Sequence, residues 1–294
     1  MRDRLLRDGF IILSVVFVAL RLFAVEPWAD SVDAYAYWTT RDGSFYDAAT
    51  TGRIGAYLYS PAFAQLLAPL VWLPIAVFTA FWTALNAVSL WFLLRRWALP
   101  SLLFLPIAFE IISGNVHLLY AVAIVVGFRW PAVWALLFLT KVTPGVGVVW
   151  FLVRREWRSL AIALGATAAI AAVSFLLDQA SWRQWIDLLR ADASGAGNAA
   201  FSTVGWYVPI ALAPRLVAAV AITAFAGLTD RRWLVPVAVA LAMPVLWANA
   251  LAVLAAVVPL WQADRSRVPG AGRTIGGVPA LDRTASLRTD RVDR

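Results

Sequence analysis

The apolar residues of this sequence come in long runs, and short polar segments that contain most of the arginines separate one run from the next. The runs lack the alternation of apolar and polar residues that a transmembrane β-strand requires. Several approach the roughly 20 residues with which an α-helix crosses the hydrocarbon core of a bilayer. The pattern therefore predicts an all-α integral membrane protein, a bundle of about ten transmembrane helices.

The arginine groups orient the bundle, because cytoplasmic loops carry an excess of Lys and Arg. Arginines near the start of the chain place the N-terminus in the cytoplasm, and an even number of crossings returns the C-terminus to the same side. Several predicted crossings are short, so they need a thinner bilayer or kinks that are buried in the protein. The predicted crossings are residues 9–25, 75–94, 100–112, 116–128, 131–141, 144–153, 159–177, 208–228, 233–247 and 249–262.

Two segments are predicted to form external loops, residues 26–74 and residues 178–206. The first is large and contains SPAFAQLLAPLVWLP, whose prolines and short length favour an interfacial helix over a crossing. After the last crossing the sequence is rich in arginine, glycine, proline and aspartate, without apolar periodicity. We therefore expect a transmembrane domain at residues 1–262 and a disordered basic cytoplasmic tail at residues 263–294.

Composition narrows the possible chemistry. Hydrophobic residues make up 62% of the chain and charged residues only 14%, far from the balance of a soluble domain. The net charge of +8 comes from dispersed arginines, which is typical of topology signals, so no nucleic acid partner is expected. The absence of cysteine and the presence of a single histidine exclude thiolate and histidine-rich metal sites, and no metal site is predicted.

Lys141 is the only lysine of the chain, and it lies between two short apolar runs near the outer leaflet. Pro144 begins the second run, so polar backbone groups are exposed at this helix break. An ionisable residue at membrane depth usually faces a cavity or a partner. Lys141 is therefore either a ligand for phosphate or a lysine whose ammonium reaches out to the interface.

The turn GNVH, on the same side of the membrane, contains the only histidine, His117. This residue is either catalytic or a satisfied core or helix-capping side chain. Glu110 precedes it in the same region. Glu110 is either a second acidic site residue or the partner of Arg215 or Arg21.

The stretch DSVDAYAYW at residues 30–38 places two carboxylates where the first apolar run ends. If the first helix continues through them, Asp30 and Asp33 share one face at the external mouth of the bundle. They could bind a cation, act as a general base, or mark the end of a helix in water. Their position alone favours the last interpretation.

An ordered set of motifs resembles glycosyltransferase family 87, whose members are bacterial mannosyltransferases that use polyprenyl-phosphate-mannose. The resemblance covers residues 9 to 160, and each motif falls on the side of the membrane that the arginines predict. It implies a multispanning glycosyltransferase C architecture. The motifs are DAYAYW, FYDAATTG, YLYSPAFAQLLAPLVWLP, SGNVHLL and LTKVTPGVGVVWFLVRREWR.

The resemblance implies roles for individual residues. Asp33 corresponds to the catalytic base of the family, and Asp30 is the second candidate. The substrate-binding candidates are Tyr35, Tyr37, Tyr59, Asn115, His117 and Glu110, and the candidates for the donor phosphate are Lys141, Arg183 and Arg21. The chain departs from the family pattern at AMPVLWANAL, where a serine-proline-x-serine-tryptophan stretch with histidines is expected.

The implied reaction is a single inverting displacement at the outer face of the bacterial cytoplasmic membrane. A hydroxyl of a glycolipid or polysaccharide acceptor attacks the sugar of a polyprenyl-phosphate donor among the membrane lipids, without cofactor or metal. The alternative from another class is a lipid flippase or transporter, because short broken helices and polar residues at membrane depth are also features of transporters. The large first external loop with its carboxylates favours the enzyme.

Cysteines introduced one at a time into this cysteine-free chain test the predicted topology. In intact cells, an impermeant maleimide is expected to react with the variants Ser44→Cys and Ala193→Cys, because both positions lie in predicted external loops. It should not react with Ser159→Cys or Ser286→Cys, which are predicted to be cytoplasmic. Labelling at residue 159 would contradict the ten-crossing topology.

Overall fold

The fold is helical throughout the part of the chain that is described. The structure is a computed structural model, and it describes residues 1–24, 26, 31–43, 45–46, 56–193 and 208–266. Within these ranges the regular segments are α-helices and short 3₁₀-helices, with no strand, which confirms the all-α prediction.

The α-helices are α1 (Arg2–Leu22), α2 (Val32–Trp38), α3 (Pro61–Leu67), α4 (Ile75–Leu94), α5 (Ala98–Ser101), α6 (Leu105–Ser113), α7 (His117–Gly127), α8 (Ala135–Thr140), α9 (Val149–Val153), α10 (Trp157–Leu177), α11 (Gln179–Ala193), α12 (Leu212–Thr229), α13 (Val235–Leu241) and α14 (Val257–Arg265). The 3₁₀-helices are Thr39–Asp42, Arg95–Trp97, Pro131–Trp134, Thr143–Val148, Arg232–Leu234 and Ala248–Ala256.

Three helical runs among the described residues are long and apolar enough to cross a membrane, namely Ile75–Ser101, Trp157–Leu177 and Leu212–Thr229. A fourth candidate is the pair α6 and α7, which is bent by 107° and forms either one broken span or a re-entrant loop. The sequence pattern predicts two separate crossings there. The count of ten crossings stays a prediction.

The first helix ends earlier than the apolar run does. Helix α1 stops at Leu22, and α2 begins as a separate helix at Val32. Pro27 follows α1 closely in sequence, and proline disfavours helical backbone at the residue before it. Asp33 therefore does not continue the first helix, so the condition on which a shared face with Asp30 was expected is not met. Asp30 itself lies outside the described residues.

Helix α4 lies in the core of the fold and packs against α1, α2 and α7. Its side chain Trp82 is almost fully buried, as is Tyr37 of α2. The two rings lie 4.9 Å apart between centroids, and Phe63 of α3 packs edge-on against Tyr37 at 5.5 Å. Each such aromatic pair contributes about 0.5–1.5 kcal/mol beyond the burial of its area. This aromatic packing holds α2 and α3 against α4.

The segment predicted as the crossings 131–141 and 144–153 consists of short helical pieces that meet near Lys141. Glycines allow these pieces to pack closely. A Cβ atom built on Gly147 would lie 2.2 Å from the Trp134 ring, and one on Gly145 would lie 2.2 Å from Phe138. Side chains at these two positions would collide with Phe138 and Trp134, so the close packing of this segment depends on glycine.

The predicted external segments contain helices. Helix α3 covers only part of the predicted interfacial helix and packs against α8, α10 and α11, so its place in the interface stays a prediction. Helix α11 occupies the predicted second loop. It buries Trp182 and Trp185, three positions apart on one face, and exposes Arg183.

Arg215 of α12 holds together the backbone where α13 ends. Its guanidinium donates hydrogen bonds to the carbonyl oxygens of Leu241 at 2.9 Å, Met243 at 2.7 Å and Pro244 at 3.0 Å. A fourth bond reaches Ile210 O at 2.8 Å. Arg215 therefore satisfies carbonyls that the end of a helix leaves without intrahelical partners.

Arg215→Met is expected to destabilise the fold by about 2 kcal/mol or more, because it leaves several carbonyls of a helix end without donors. Thermal unfolding of the purified protein in detergent measures the effect. The matched control is Arg158→Met, since Arg158 is exposed. Equal unfolding midpoints for the two variants would contradict this role of Arg215.

Candidate active site

The break between α6 and α7 collects polar side chains from four parts of the chain. Helix α2, the residues before α3, the break itself and the residue after α8 each contribute. We call the following set the polar cluster: Asp33, Tyr37, Tyr59, Glu110, Ser113, Asn115, His117 and Lys141.

Asn115 lies at the centre of the polar cluster. Its Oδ1 accepts hydrogen bonds from Val116 N at 2.8 Å, from the Tyr59 hydroxyl at 3.3 Å and from the Tyr37 hydroxyl at 3.4 Å. The two hydroxyls are themselves 3.0 Å apart. Because these donors occupy Oδ1, the amide nitrogen of Asn115 is the atom that can stabilise the Asp33 carboxylate.

The backbone of the turn is fixed by α4. Trp82 Nε1 and Asn86 Nδ2, one helical turn apart, donate to the carbonyl oxygen of Asn115 at 3.2 and 3.3 Å. Gly114 has φ +71°, a conformation that favours glycine. A Cβ atom at this position would lie 2.8 Å from Cβ of Ala34. The glycine thus lets α2 approach the turn closely.

Asp33 lies in the first turn of α2, where a carboxylate is favourable beside the positive end of the helix. Asp33 is half-buried, and the side chains of Ser113 and Asn115 stabilise its carboxylate form. Burial raises the pKa of Asp33, and the positive charge of Lys141 acts in the opposite direction. A carboxylate and an ammonium therefore act on one another within a single polar cluster.

Glu110, His117 and Lys141 form a continuous chain of contacts. Glu110 Oε1 accepts hydrogen bonds from the backbone N–H groups of His117 and, at 3.2 Å, Leu118. Glu110 Oε2 lies 2.9 Å from His117 Nδ1, and His117 Nε2 lies 3.4 Å from Lys141 Nζ. The ion pair that the structure gives Glu110 among the described residues is with His117, and not with either arginine named as an alternative partner.

Lys141 follows the last residue of α8 and turns its ammonium toward the polar cluster. Its Nζ lies 5.2 Å from the centroid of the Tyr59 ring, within the range of a cation–π interaction. The Ser60 hydroxyl donates to Leu139 O and so ties the α8 end to the segment that contains Tyr59. The ammonium has a defined position between an imidazole and an aromatic ring.

Three predicted site residues lie in other surroundings. Tyr35 stacks on Trp38, with centroids 6.1 Å apart. Arg183 is exposed on α11. Arg21 is buried and donates to Ile112 O at 2.7 Å, which supports the end of α6.

Two residues of this region escaped the sequence analysis. Ser113 stabilises the charged form of Asp33, and Asn249 Nδ2 donates to Ser113 Oγ at 3.2 Å. Asn249 is part of the stretch that departs from the family pattern. The signal that could have identified it is an amide side chain at the split between two apolar runs.

An apolar groove lies toward the other end of α4 and shares no residue with the polar cluster. It is lined by residues that include Leu94, Trp97, Trp233, Val257 and Trp261. Leu94 follows Trp82 by about 18 Å along the helix, at about 1.5 Å per residue. The groove and the polar cluster are thus separate features of the molecule.

The chemistry of the polar cluster is that of carboxylate, imidazole, ammonium and hydroxyl groups. Among the described residues, no group of three or more His, Cys, Asp or Glu side chains is arranged to hold a metal ion. Asp33 can accept a proton, and the Lys141 ammonium can bind an anion beside it. The arrangement suits a displacement in which a hydroxyl is deprotonated and a phosphate departs.

Comparison with known families decides the class. The sequence model of glycosyltransferase family 87 matches residues 57–278, which is more than half of the chain. The chain belongs to glycosyltransferase family 87. Searches among curated proteins and among solved structures give no match. Family membership makes the protein a glycosyltransferase with a sugar donor and an acceptor as substrates, and the apolar helices make it a membrane protein.

The match extends further toward the C-terminus than the resemblance at residues 9–160. Within it lie Tyr59, Glu110, Asn115, His117 and Lys141 of the glycosyltransferase. Asp33 precedes the matched range, so its place beside these residues is known from the structure alone.

Gly114→Ala is expected to move α2 and to reduce glycosyl transfer, because a Cβ atom at 2.8 Å from Ala34 Cβ forces the two backbones apart. Gly43→Ala is the matched control, since Gly43 also has a positive φ of +78° but no atom within 4 Å of a Cβ. Both variants should lose about 1 kcal/mol of stability through backbone strain. Equal transfer rates for the two would contradict the close approach of α2.

Proposed function

We propose that this protein transfers a mannosyl group from a polyprenyl-phosphate donor to a hydroxyl of a glycolipid or polysaccharide. The reaction takes place at the outer face of the bacterial cytoplasmic membrane, with both termini of this multi-pass chain on the cytoplasmic side. The observation that carries the proposal is that Lys141 meets His117 and Tyr59 at one helix break, where its positive charge acts on the Asp33 carboxyl. Family membership supplies the reaction class.

Asp33 acts as the general base. Ser113 and Asn115 stabilise its carboxylate form, and an oxygen lone pair of that carboxylate accepts the proton of the acceptor hydroxyl. As the hydroxyl attacks the anomeric carbon, its proton passes to Asp33, and the bond from that carbon to the phosphate oxygen breaks. One displacement inverts the configuration of the sugar.

Lys141 binds the departing phosphate. An ammonium donates charge-assisted hydrogen bonds to phosphate oxygens at about 2.8 Å. A phosphate leaving group needs no proton from a general acid, so a site that contains one histidine is sufficient. The polyprenyl tail stays among the membrane lipids while the sugar lies in the polar cluster. Tyr59 and Tyr37 support this site from within the same cluster, because their hydroxyls donate to Asn115 Oδ1.

Asp33→Asn is expected to lower turnover at least about a hundredfold, because it removes the proton-accepting charge and keeps the size of the side chain. Donor binding and folding should be retained. A transfer assay with radiolabelled polyprenyl-phosphate-mannose and a panel of glycolipid acceptors measures the effect. Asp42→Asn is the matched control, since Asp42 is exposed in the 3₁₀-helix that follows α2.

The pH dependence gives a second readout of the same base. Because burial raises the pKa of Asp33, the acid limb of the rate profile should lie above the ordinary aspartate value of about 3.9. Transfer should therefore decline as pH falls through the raised pKa.

Near-normal turnover by Asp33→Asn, with loss in Asp30→Asn, would move the base to Asp30. Activity in both variants would contradict the proposed mechanism.

Lys141→Met is expected to weaken binding of the polyprenyl-phosphate donor by about tenfold or more, because a charge-assisted hydrogen bond to phosphate is lost. Lys141→Arg keeps the charge and should retain part of the affinity. The measurement is a binding titration with polyprenyl-phosphate-mannose on protein that is folded in detergent. Unchanged affinity in Lys141→Met would show that Lys141 is not a phosphate ligand.

A further inference from the structure

The only histidine and the only lysine of this chain touch one another. His117 Nε2 lies 3.4 Å from Lys141 Nζ, and on its other side His117 Nδ1 lies 2.9 Å from Glu110 Oε2. The side chains of Glu110 and His117 are almost fully buried, with exposed fractions of 0% and 1%. Each polar atom in this row of buried side chains needs a neighbour that can donate to it or accept from it.

The hydrogen-bonding groups of Glu110 and Lys141, on either side of His117, determine the tautomer of its imidazole. When Glu110 is ionised its carboxylate only accepts hydrogen bonds, so His117 Nδ1 then carries the proton that points to Glu110. An ammonium only donates, so His117 Nε2 must offer a lone pair to Lys141. A neutral imidazole with its proton on Nδ1 satisfies both neighbours at once.

Glu110 is itself held in place by the backbone. Its Oε1 accepts the N–H groups of His117 and Leu118, the first residues of α7. These donors would otherwise lack intrahelical partners, because the first N–H groups of a helix have none. The carboxylate is thus fixed before it meets the imidazole, and it cannot rotate away without leaving buried N–H groups unsatisfied.

We propose that Glu110 and His117 form a positioning pair that orients the ammonium of Lys141. One ammonium N–H is anchored on His117 Nε2, and the Tyr59 ring flanks the same nitrogen at 5.2 Å from its centroid. With one N–H anchored, tetrahedral geometry at Nζ directs the other two N–H bonds away from the imidazole. Lysine has a flexible stem, so the pair removes rotational freedom that substrate binding would otherwise have to remove.

The consequence for phosphate binding rests on the proposed function, in which Lys141 is the phosphate ligand. The geometry of the pair does not depend on that function. Two experiments therefore separate the claims, one on the imidazole alone and one on donor affinity.

The first experiment is NMR of the full-length protein labelled with ¹⁵N-histidine in detergent. The single histidine gives one pair of ring-nitrogen signals, so the assignment is unambiguous. The expected result is a protonated Nδ1 and an unprotonated Nε2 that accepts a hydrogen bond. A proton on Nε2, in the neutral or the doubly protonated ring, would overturn the proposal whatever the substrate is.

The second experiment compares two substitutions of His117 whose side chains differ in length. The amide of Gln extends to the position of the histidine Nε2 and offers an oxygen there, so His117→Gln can still accept from Lys141. The amide of Asn extends only to the position of Nδ1, so His117→Asn can donate to Glu110 but cannot reach Lys141. If His117 only filled space or only donated to Glu110, His117→Asn would preserve its role better than His117→Gln.

The probe is polyprenyl monophosphate, titrated against each variant in detergent. His117→Asn should lose affinity about tenfold, as Lys141→Met does, while His117→Gln keeps most of it. The double variant His117→Asn with Lys141→Met should bind no more weakly than Lys141→Met alone, because both changes remove the same interaction. Additive losses in the double variant would contradict the positioning role.

The outcomes separate the two levels of the argument. Failure of the wild-type protein to bind polyprenyl monophosphate would contradict the proposed function, and the NMR result would still decide the tautomer. Binding by the wild type with equal affinity in His117→Asn would overturn the positioning pair alone. If His117→Asn does not fold, the NMR measurement on the wild type decides the proposal.

Discussion

A helix that breaks inside an apolar bundle must satisfy its free backbone groups within the protein, since lipid offers no hydrogen bonds. The break between α6 and α7, with its bend of 107°, meets this requirement through side chains. Glu110 accepts the first N–H groups of α7, Asn115 Oδ1 accepts Val116 N, and Arg21 donates to Ile112 O. The primary role of these three polar side chains is therefore structural, because they allow the helix to break between α6 and α7.

The same requirement explains why a reactive site can exist here. Once the turn has been built from polar side chains, its remaining hydrogen-bonding capacity faces α2 and the end of α8. The amide nitrogen of Asn115 faces Asp33, and the free nitrogen of the His117 ring faces Lys141. Base and cation are thus positioned by groups whose other atoms hold the backbone, so the geometry of the site is tied to the stability of the fold.

Long apolar runs and rare residue types were the predictable part. The crossing predicted at 75–94 coincides with α4, because the run is continuous and ends at two arginines. Lys141 and His117 stood out as the single members of their types, and the structure brings them together. The sequence also identified Asp33, although only the resemblance gave it a role.

Contacts between distant residues were the part that the sequence could not supply. Asn249 reaches Ser113 across 136 positions, and no local pattern records such a pair. Glu110 and His117 face each other across a turn with a left-handed glycine, so helical spacing gave no warning of their contact. The same limit applies to α11, where tryptophan spacing on one face was present but the segment was interpreted as a loop.

The position of a bound donor is the most direct test of the whole account. An electron cryo-microscopy structure of the Asp33→Asn variant with polyprenyl-phosphate-mannose would show where the phosphate lies. We expect phosphate oxygens about 2.8 Å from Lys141 Nζ, with the anomeric carbon between that phosphate and residue 33. Density for the lipid phosphate elsewhere, for example at the groove lined by Trp97, Trp233 and Trp261, with the polar cluster empty, would contradict it.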